Sequence, residues 1–124
     1  MKNQYIPDRN EIVWMDFDPA KGKEIGKCRP ALVLSSKNYN KNMEILICCP
    51  ISTSIRGYMT EIPIHNLNQP SVVVANAVRS MSWKVRKAKF ITHAEEGVMS
   101  SVLQRLIPLI GADKILLEFA GISR

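Results

Sequence analysis

Hydrophobic and polar residues alternate over short stretches in the first three quarters of the chain. The first such stretch runs from Glu11 to Phe17 and stops at Asp18 and Pro19. Alternation with a period of two indicates strands, and runs rich in β-branched residues add to the signal. The pattern predicts about six short strands, at residues 11–17, 29–35, 43–49, 60–64, 71–78 and 85–92.

Two polar segments between these strands are predicted to be loops. Residues 18–27 contain a proline and two glycines among charged side chains, a composition with little to bury. Residues 36–42 are polar throughout except for Tyr39 and separate the second strand from the third. We expect both segments to connect strands without regular structure of their own.

The period of the pattern changes after Glu95. Apolar residues then recur at spacings of three and four, which places them on one face of a helix. Pro108 is predicted to kink or end this helix, and a short second helix is expected after Gly111. The default interpretation of the apolar face is core packing, and contact between two copies of the chain is the alternative. Its residues are Val98, Met99, Val102, Leu103, Leu106, Ile107 and Ile110.

Several short strands followed by a terminal helix are typical of a small, strongly bent antiparallel sheet. We therefore expect a mainly β protein whose sheet closes into a barrel, with a C-terminal α-helix against it. The pattern alone does not distinguish an SH3-like barrel from an OB-like one. At 124 residues the chain is predicted to form a single domain, residues 1–124, with one hydrophobic core.

The net charge of the chain indicates which class of partner it binds. A formal net charge of +6 and a pI of about 9.4 favour a polyanion such as nucleic acid. The N-terminal residues lack the apolar core of a secretory signal, and no run is long enough to span a bilayer, so a cytoplasmic protein without membrane contact is expected. Cys28, Cys48 and Cys49 lack metal-ligand spacing, and no metal or other cofactor is predicted.

Six segments, in order and with hardly a gap between residues 5 and 92, resemble the MazF/PemK family of toxins. An ordered series of this kind is far less expected by chance than one short motif. The segments are Ile12–Pro19, Lys21–Glu24, Arg29–Ser35, Pro50–Ser54, Gly57–Tyr58 and Asn76–Trp83.

The resemblance implies a homodimeric SH3-like barrel of the kind shared by PemK and CcdB. It also implies an mRNA interferase: a ribosome-independent, metal-independent endoribonuclease that cuts single-stranded RNA at short sequence motifs and so inhibits translation and growth. In such a cut the ribose 2′-hydroxyl attacks its own phosphate, leaving a 2′,3′-cyclic phosphate and a 5′-hydroxyl. An acidic antitoxin is the implied second partner.

The catalytic residues implied by the resemblance are Arg29, a hydroxyl just after Pro50, and Glu24. A guanidinium can hold two phosphate oxygens in a bidentate fork, so Arg29 is expected to stabilise the transition state, with acid catalysis as a possible second role. Ser52 stands where the family has its hydroxyl and Thr53 follows it; only one can face Arg29 if both lie on a strand. Glu24 is expected to accept the 2′-hydroxyl proton or to orient Arg29.

Substrate binding is assigned to basic, polar and aromatic side chains. Trp83 is expected near the surface as a base-stacking face, whereas Trp14 is expected in the core. Neither histidine falls in a family segment, and both are interpreted as turn or cap residues. The predicted RNA-binding residues are Lys21, Asn40, Arg56, Asn76, Arg79, Trp83 and Arg86.

Two alternatives stay open at this point. One is a toxin of the same fold that traps a topoisomerase and performs no chemistry, as gyrase poisons do. The other is an RNA-binding module that has lost catalysis. An arginine paired with a hydroxyl, at Arg29 and Ser52 or Thr53, argues against the first; the serine at position 52 is the only hint of the second.

Overall fold

A computed structural model describes residues 4–121 of the chain, so the two ends of the predicted domain, residues 1–3 and 122–124, lie outside the described residues. Seven strands, three helices and one 3₁₀ turn are found in the described part. In chain order they are β1 (Glu11–Asp16), β2 (Cys28–Val33), α1 (Lys37–Met43), β3 (Leu46–Ser52), β4 (Glu61–Ile64), β5 (Ser71–Val74), the 3₁₀ turn (Ala75–Ala77), β6 (Arg79–Met81), β7 (Lys89–His93), α2 (Val98–Leu109) and α3 (Ala112–Phe119).

The strands form one antiparallel sheet in the order β4-β5-β3-β2-β1-β7, and β6 pairs with β3. Strand β3 joins the two halves, because Leu46 pairs with Met81 at its start and Ile51 pairs with Val73 near its end. The antiparallel sheet and the C-terminal helices confirm the predicted fold class. Closure into a barrel is not found: within residues 4–121 the terminal strands β4 and β7 do not pair, and α2 packs on the sheet instead.

Alternation along the strands divides the buried side chains between the two faces of the sheet. Ile12 packs with Val98 and Val102 of α2 in one cluster, whereas Val13 and Met15 belong to a second cluster on the other face. The expectation of one core is therefore replaced by two clusters that share a sheet. Fully burying a large aliphatic side chain is worth about 1.5–3 kcal/mol, so both faces stabilise the strands that carry the site.

The three cysteines are free thiols in different surroundings. Cys48 and Cys49 are adjacent on β3, and each is buried in a different cluster, as strand alternation predicts. Burial raises the pKa of both thiols to about 12. Cys28, at the start of β2, is exposed.

Helix α1 corrects the prediction of a loop at residues 36–42. Ser36 caps it, since its Oγ accepts a hydrogen bond from the backbone N–H of Tyr39, and the helix ends at Glu44 with a φ of 57°. The hydrophobic pattern did not predict this helix, because the side of it that faces the protein interior carries one amide rather than a stripe of apolar side chains. That amide belongs to Asn40, which is fully buried.

Two predicted strands are shorter than expected. The strand predicted at 71–78 ends at Val74, and the 3₁₀ turn separates it from β6. The strand predicted at 85–92 begins only at Lys89, because residues 84–87 form a turn in which the Arg86 N–H donates to the Ser82 carbonyl at 3.1 Å. Alternation in sequence also misplaced Trp14, which was expected in the core but is 45% exposed on β1.

The C-terminal helices confirm part of the expectation. Helix α2 ends one residue after Pro108, and α3 follows Gly111, whose φ of 76° suits glycine. Only Val98 and Val102 of the predicted apolar stripe are buried, so the core-packing interpretation holds for the first half of α2 alone. Within residues 4–121 no helix has the length and apolar character needed to cross a membrane.

Candidate active-site cleft

A cleft of about 950 Å³ opens where the C-terminal end of β3 meets the start of β2. Two loops border it: the β1–β2 loop, residues 17–27, and the β3–β4 loop, residues 53–60. Three of the four predicted catalytic residues, Arg29, Ser52 and Glu24, line it. The remaining lining residues are Lys23, Ile25, Gly26, Pro50, Ser54, Arg56, Tyr58, Glu61, Val74, Asn76, Ala77, Val78, Arg79 and Ser80.

Arg29 is held in the cleft by two carbonyl groups. It lies on β2 opposite Met15, and its Nε donates to the Gly26 carbonyl at 2.7 Å. Its Nη1 lies 3.5 Å from the Ile51 carbonyl on β3. Partial burial lowers the pKa of Arg29, and the Asp18 carboxylate opposes that shift. The guanidinium is thus oriented through Nε, with Nη1 directed to β3.

The structure distinguishes the two candidate hydroxyls by position. Ala31 on β2 pairs with Pro50 on β3, and because the two strands are antiparallel, the same register brings Arg29 level with Ser52. Both residues line the cleft. Thr53 follows the end of β3, is exposed and does not line the cleft. Ser52 Oγ accepts a hydrogen bond from the Ser54 N–H at 3.0 Å, which leaves the hydroxyl proton available to donate.

Glu24 lies at the exposed side of the cleft in a turn of the β1–β2 loop. Its Oε1 accepts the backbone N–H of Lys21 at 2.8 Å, and its own N–H donates to the Lys21 carbonyl at 3.0 Å. The carboxylate is therefore oriented by its own turn rather than by Arg29. Lys21 takes part through its backbone, and its exposed side chain is not among those that line the cleft.

The base of the β1–β2 loop is closed by Asp18 and Arg86. Asp18 Oδ1 accepts the Lys27 N–H at 2.8 Å, while Arg86 Nη1 donates to the carbonyls of Asp16 and Asp18 at 2.9 and 2.8 Å. Arg86 was predicted to bind RNA, but it holds loop backbone and does not line the cleft. A Cβ on Gly26 would lie 2.5 Å from Asp18 Oδ1, so this turn requires glycine.

Three of the predicted RNA-binding residues line the cleft: Arg56, Asn76 and Arg79. Arg56 lies on the β3–β4 loop and Asn76 on the 3₁₀ turn. Arg79 begins β6 with its guanidinium carbon 5.9 Å from the centroid of the Phe17 ring, a cation–π contact. Lys23 adds a fourth positive side chain after Arg29, Arg56 and Arg79.

The structure contradicts the expected positions of Trp83 and Asn40. Trp83 is only 4% exposed, and its Nε1 donates to the Asn40 carbonyl at 2.8 Å. The Asn40 amide donates to the carbonyls of Pro7 and Ser35 at 2.8 and 3.2 Å. Because burying unpaired polar groups is costly, these bonds fix both side chains inside the protein, away from any base.

Sequence reasoning missed Glu61, a second carboxylate in the cleft. It lies at the start of β4, and its Oε1 accepts two backbone N–H groups of the β3–β4 loop. Nothing in the local sequence distinguishes it from an ordinary solvated glutamate. Both histidines lie outside the cleft: His65 Nδ1 is 3.2 Å from Glu95, and His93 Nε2 is 4.0 Å from Glu11. The interpretation of His93 as a turn or cap residue is wrong, because it is the last residue of β7 and pairs with Glu11.

No group of three or more His, Cys, Asp or Glu side chains that could hold a metal ion occurs among residues 4–121. The chemical groups that the cleft does offer are guanidinium, ammonium, hydroxyl and carboxylate. Such a set can bind a phosphodiester, donate to its oxygens and accept a proton near it.

Residues 8–110 match the model of a family described as the PemK-like, MazF-like toxins of type II toxin-antitoxin systems. The chain belongs to this family. The predicted family is thereby confirmed. The chain is 38% identical over 88 residues to the endoribonuclease toxin MazF of Escherichia coli K12, covering 71% of this chain and 79% of that protein.

Solved structures agree with the family assignment. The crystal structure of MazF from Deinococcus radiodurans superposes with a TM-score of 0.83 at 36% identity, covering 87% of this chain and 99% of that one. A MazE-MazF structure from the same organism superposes with a TM-score of 0.77 at 36% identity, covering 87% and 98%. The matched family segment ends at Ile110, just before α3.

Proposed function

We propose that this protein is an endoribonuclease that cuts single-stranded RNA at short sequence motifs, without a metal ion or a ribosome, and thereby inhibits translation and growth. The observation that carries the proposal is the convergence of Arg29, Ser52 and Glu24 in one cleft with further cationic side chains. The relatives named as endoribonuclease toxins support the same activity.

The proposed reaction uses a nucleophile from the substrate. The 2′-hydroxyl of the ribose attacks the adjacent phosphorus, the bond from phosphorus to the 5′-oxygen breaks, and the products carry a 2′,3′-cyclic phosphate and a 5′-hydroxyl. Arg29 neutralises the charge that develops on the phosphorane oxygens, because its Nε is fixed on Gly26 while its terminal nitrogens keep N–H groups for the phosphate besides the one that Nη1 directs at the Ile51 carbonyl. Ser52 donates a hydrogen bond from its hydroxyl to one of these oxygens and keeps its proton.

Proton transfer is assigned to Glu24 and Arg29. Glu24 accepts the 2′-hydroxyl proton, for which its position at the exposed side of the cleft suits a substrate that enters from solvent. As a second role, Arg29 is assigned as the acid for the leaving 5′-oxygen, which is bonded to the same phosphorus as the oxygens that it stabilises. Arg56 and Arg79 bind the flanking phosphates, and Asn76 contacts a base edge.

The partners proposed with this activity are an acidic antitoxin and a second copy of the chain. The positive cleft supports an acidic partner, and the solved relative with MazE offers the precedent of a toxin and antitoxin in one structure. Exposed apolar side chains on α2 and α3 and in the turn between them, among them Leu109, Ile110 and Phe119, are consistent with a homodimer. Light scattering of the purified protein tests the dimer. A cytoplasmic location is proposed with this function.

The test is incubation of the purified protein with a long single-stranded RNA in EDTA. We expect discrete fragments whose 5′ ends, once sequenced, reveal one short motif and whose 3′ ends carry a cyclic phosphate. An RNA with a single 2′-deoxy sugar at the cut site should stay intact, because it lacks the nucleophile. Intact RNA in the first incubation would refute the endoribonuclease proposal, and fragments that appear only with added metal would refute metal independence.

A further inference from the structure

The β3–β4 loop is held by the side chain of the residue that follows it, Glu61, and by the side chain of a residue on α2, Arg105. From the start of β4, Glu61 Oε1 accepts the N–H groups of Arg56 and Gly57 at 3.0 and 2.9 Å. From α2, Arg105 Nε donates to the Met59 carbonyl at 2.8 Å. The loop therefore has one fixed point near its middle and another near its end.

Burial contributes little to the conformation of this loop. Tyr58 is 61% exposed and Met59 is 81% exposed, so neither side chain packs into either core cluster. Gly57 adopts a φ of 78°, which defines a turn but does not fix its place against the cleft. A segment without buried side chains opens easily unless hydrogen bonds restrain it. The side-chain bonds of Glu61 and Arg105 thus restrain residues 56–59, beside two backbone bonds at the end of the loop, from the Glu61 N–H to the Tyr58 carbonyl at 3.0 Å and from the Ala75 N–H to the Thr60 carbonyl at 2.9 Å.

A carboxylate in this position is otherwise hard to explain. Glu61 lines the same cleft as Arg29, Arg56 and Arg79, where its negative charge opposes the binding of a phosphate. Two charge-assisted hydrogen bonds to loop backbone give it a structural purpose, since such bonds are about twice as strong as neutral ones.

We propose that Glu61 and Arg105 are positioning residues that hold the β3–β4 loop so that Arg56 and Tyr58 face the bound RNA strand. This inference rests on the proposed function. A preformed loop reduces the conformational entropy lost when RNA binds, which strengthens binding without altering the reacting groups. The side chains that touch RNA are Arg56 at a phosphate and Tyr58 at the face of a base.

The first test is steady-state kinetics with Glu61→Ala and Arg105→Ala on an RNA that contains a single cut site. We expect KM to rise about tenfold for each variant, as for the loss of one strong hydrogen bond, with kcat within about twofold of the wild type. Glu61→Gln keeps an oxygen acceptor and should restore most of the affinity. If Glu61 acted only by charge, Glu61→Ala would bind RNA more tightly, and that result would overturn the proposal.

Two exposed residues provide matched controls for charge. Glu96→Ala removes a negative charge as Glu61→Ala does, and Lys114→Ala removes a positive charge as Arg105→Ala does. Neither residue lines the cleft. We expect both controls to keep KM within about twofold of the wild type, because they change the charge without freeing the loop. An equal rise in KM for Lys114→Ala and Arg105→Ala would reduce Arg105 to a general charge effect and would also overturn the proposal.

A second measurement does not depend on activity. Amide hydrogen exchange of the protein without RNA should be at least tenfold faster at Arg56 and Gly57 in Glu61→Ala, while β3 amides are unchanged. Unchanged exchange in an active enzyme would overturn the positioning role and leave the proposed function standing. Faster exchange in a protein whose wild type neither cuts nor binds RNA would refute the proposed function, while loop anchoring by Glu61 would stand.

Discussion

The cleft combines side chains that strands hold with side chains that loops hold. Arg29 and Ser52 are carried by β2 and β3, whose neighbouring residues Ala31, Leu32 and Ile51 are buried. Glu24 and Arg56 are carried by exposed loops that depend on a few hydrogen bonds. Catalytic geometry must be kept to about 0.5 Å, and strands built into a packed core provide that precision. In the proposed function, the loops provide contacts that can adapt to a strand of RNA.

Arg29→Ala is expected to have the largest effect. Because it removes the main charge opposite the phosphorane oxygens, kcat should fall on the order of 10³-fold, while the thermal midpoint stays close to that of the wild type. Arg29→Lys keeps the charge but loses the bidentate fork and the bond to Gly26, so it should recover only part of the rate. Single-turnover cleavage of a short RNA measures both. A tenfold or smaller loss in Arg29→Ala would remove the distinction between strand and loop residues.

Ser52→Ala is expected to have the next largest effect on kcat, and Thr53→Ala is its matched control. Ser52→Ala removes a donor to a charged oxygen, worth roughly a 10- to 100-fold loss in kcat. Thr53→Ala should stay within about twofold, since this hydroxyl lies outside the cleft. The same single-turnover assay compares the two. A larger loss for Thr53 would reverse their assignment.

Gly26→Ala tests how strongly the β1–β2 loop controls a strand residue. The added Cβ would lie 2.5 Å from Asp18 Oδ1 and 2.9 Å from the Ala20 Cβ, and the displaced Gly26 carbonyl is the acceptor for Arg29. We expect kcat to fall about tenfold and the free energy of unfolding to fall by about 1–3 kcal/mol. Denaturant titration and cleavage rates provide the measurements.

Gly22→Ala is the control for that substitution. Its backbone has a φ of 58°, which costs some stability, but a Cβ there meets nothing within 4 Å. The rate of Gly22→Ala should therefore stay near that of the wild type even if its stability drops. Equal losses of rate in both variants would show that loop strain, rather than the Gly26 contact, determines the position of Arg29.

Arg56→Ala is expected to have the smallest effect. A loop arginine that binds one flanking phosphate should raise KM about 3- to 10-fold, leave kcat unchanged and reduce the slope of log affinity against log salt by about 0.7. Fluorescence anisotropy with an RNA that has a 2′-deoxy sugar at the cut site measures the slope. A flat salt dependence of the wild type would contradict the positive cleft altogether.

The strand residues of the site were predictable from the sequence because their signals are local. The strand predicted at 29–35 placed Arg29 at a strand end, and the family segments gave Arg29 and Ser52 their roles. The strand predicted at 43–49 stopped short of Ser52, because β3 lies three residues further along, at Leu46–Ser52. The family and the antiparallel fold were predicted for the same reason. The open sheet was not, since closure depends on whether β4 and β7 meet after the whole chain has folded.

The loop restraints made by Arg105 and Arg86 were not predictable, because each joins residues far apart in sequence. The bond of Arg105 to Met59 spans 46 positions, and that of Arg86 to Asp16 spans 70. The predictions for Trp83 and Asn40 were wrong for a related reason. The two residues lie 43 positions apart, and each was expected to be exposed before the hydrogen bond between them was known. Whether a polar residue is buried can be predicted only when its hydrogen-bond partner is known.

The separation of the thiols gives the protein a place for a single label. Cys48 and Cys49 are buried and remain protonated at neutral pH, since their pKa is raised to about 12, so a maleimide should react at exposed Cys28 alone. That thiol is one residue from Arg29 on β2. The Cys28 side chain does not line the cleft, and alternation along β2 directs it away from the side of Arg29, so a fluorophore there would label the unmutated chain outside the cleft, without any cysteine being added or removed.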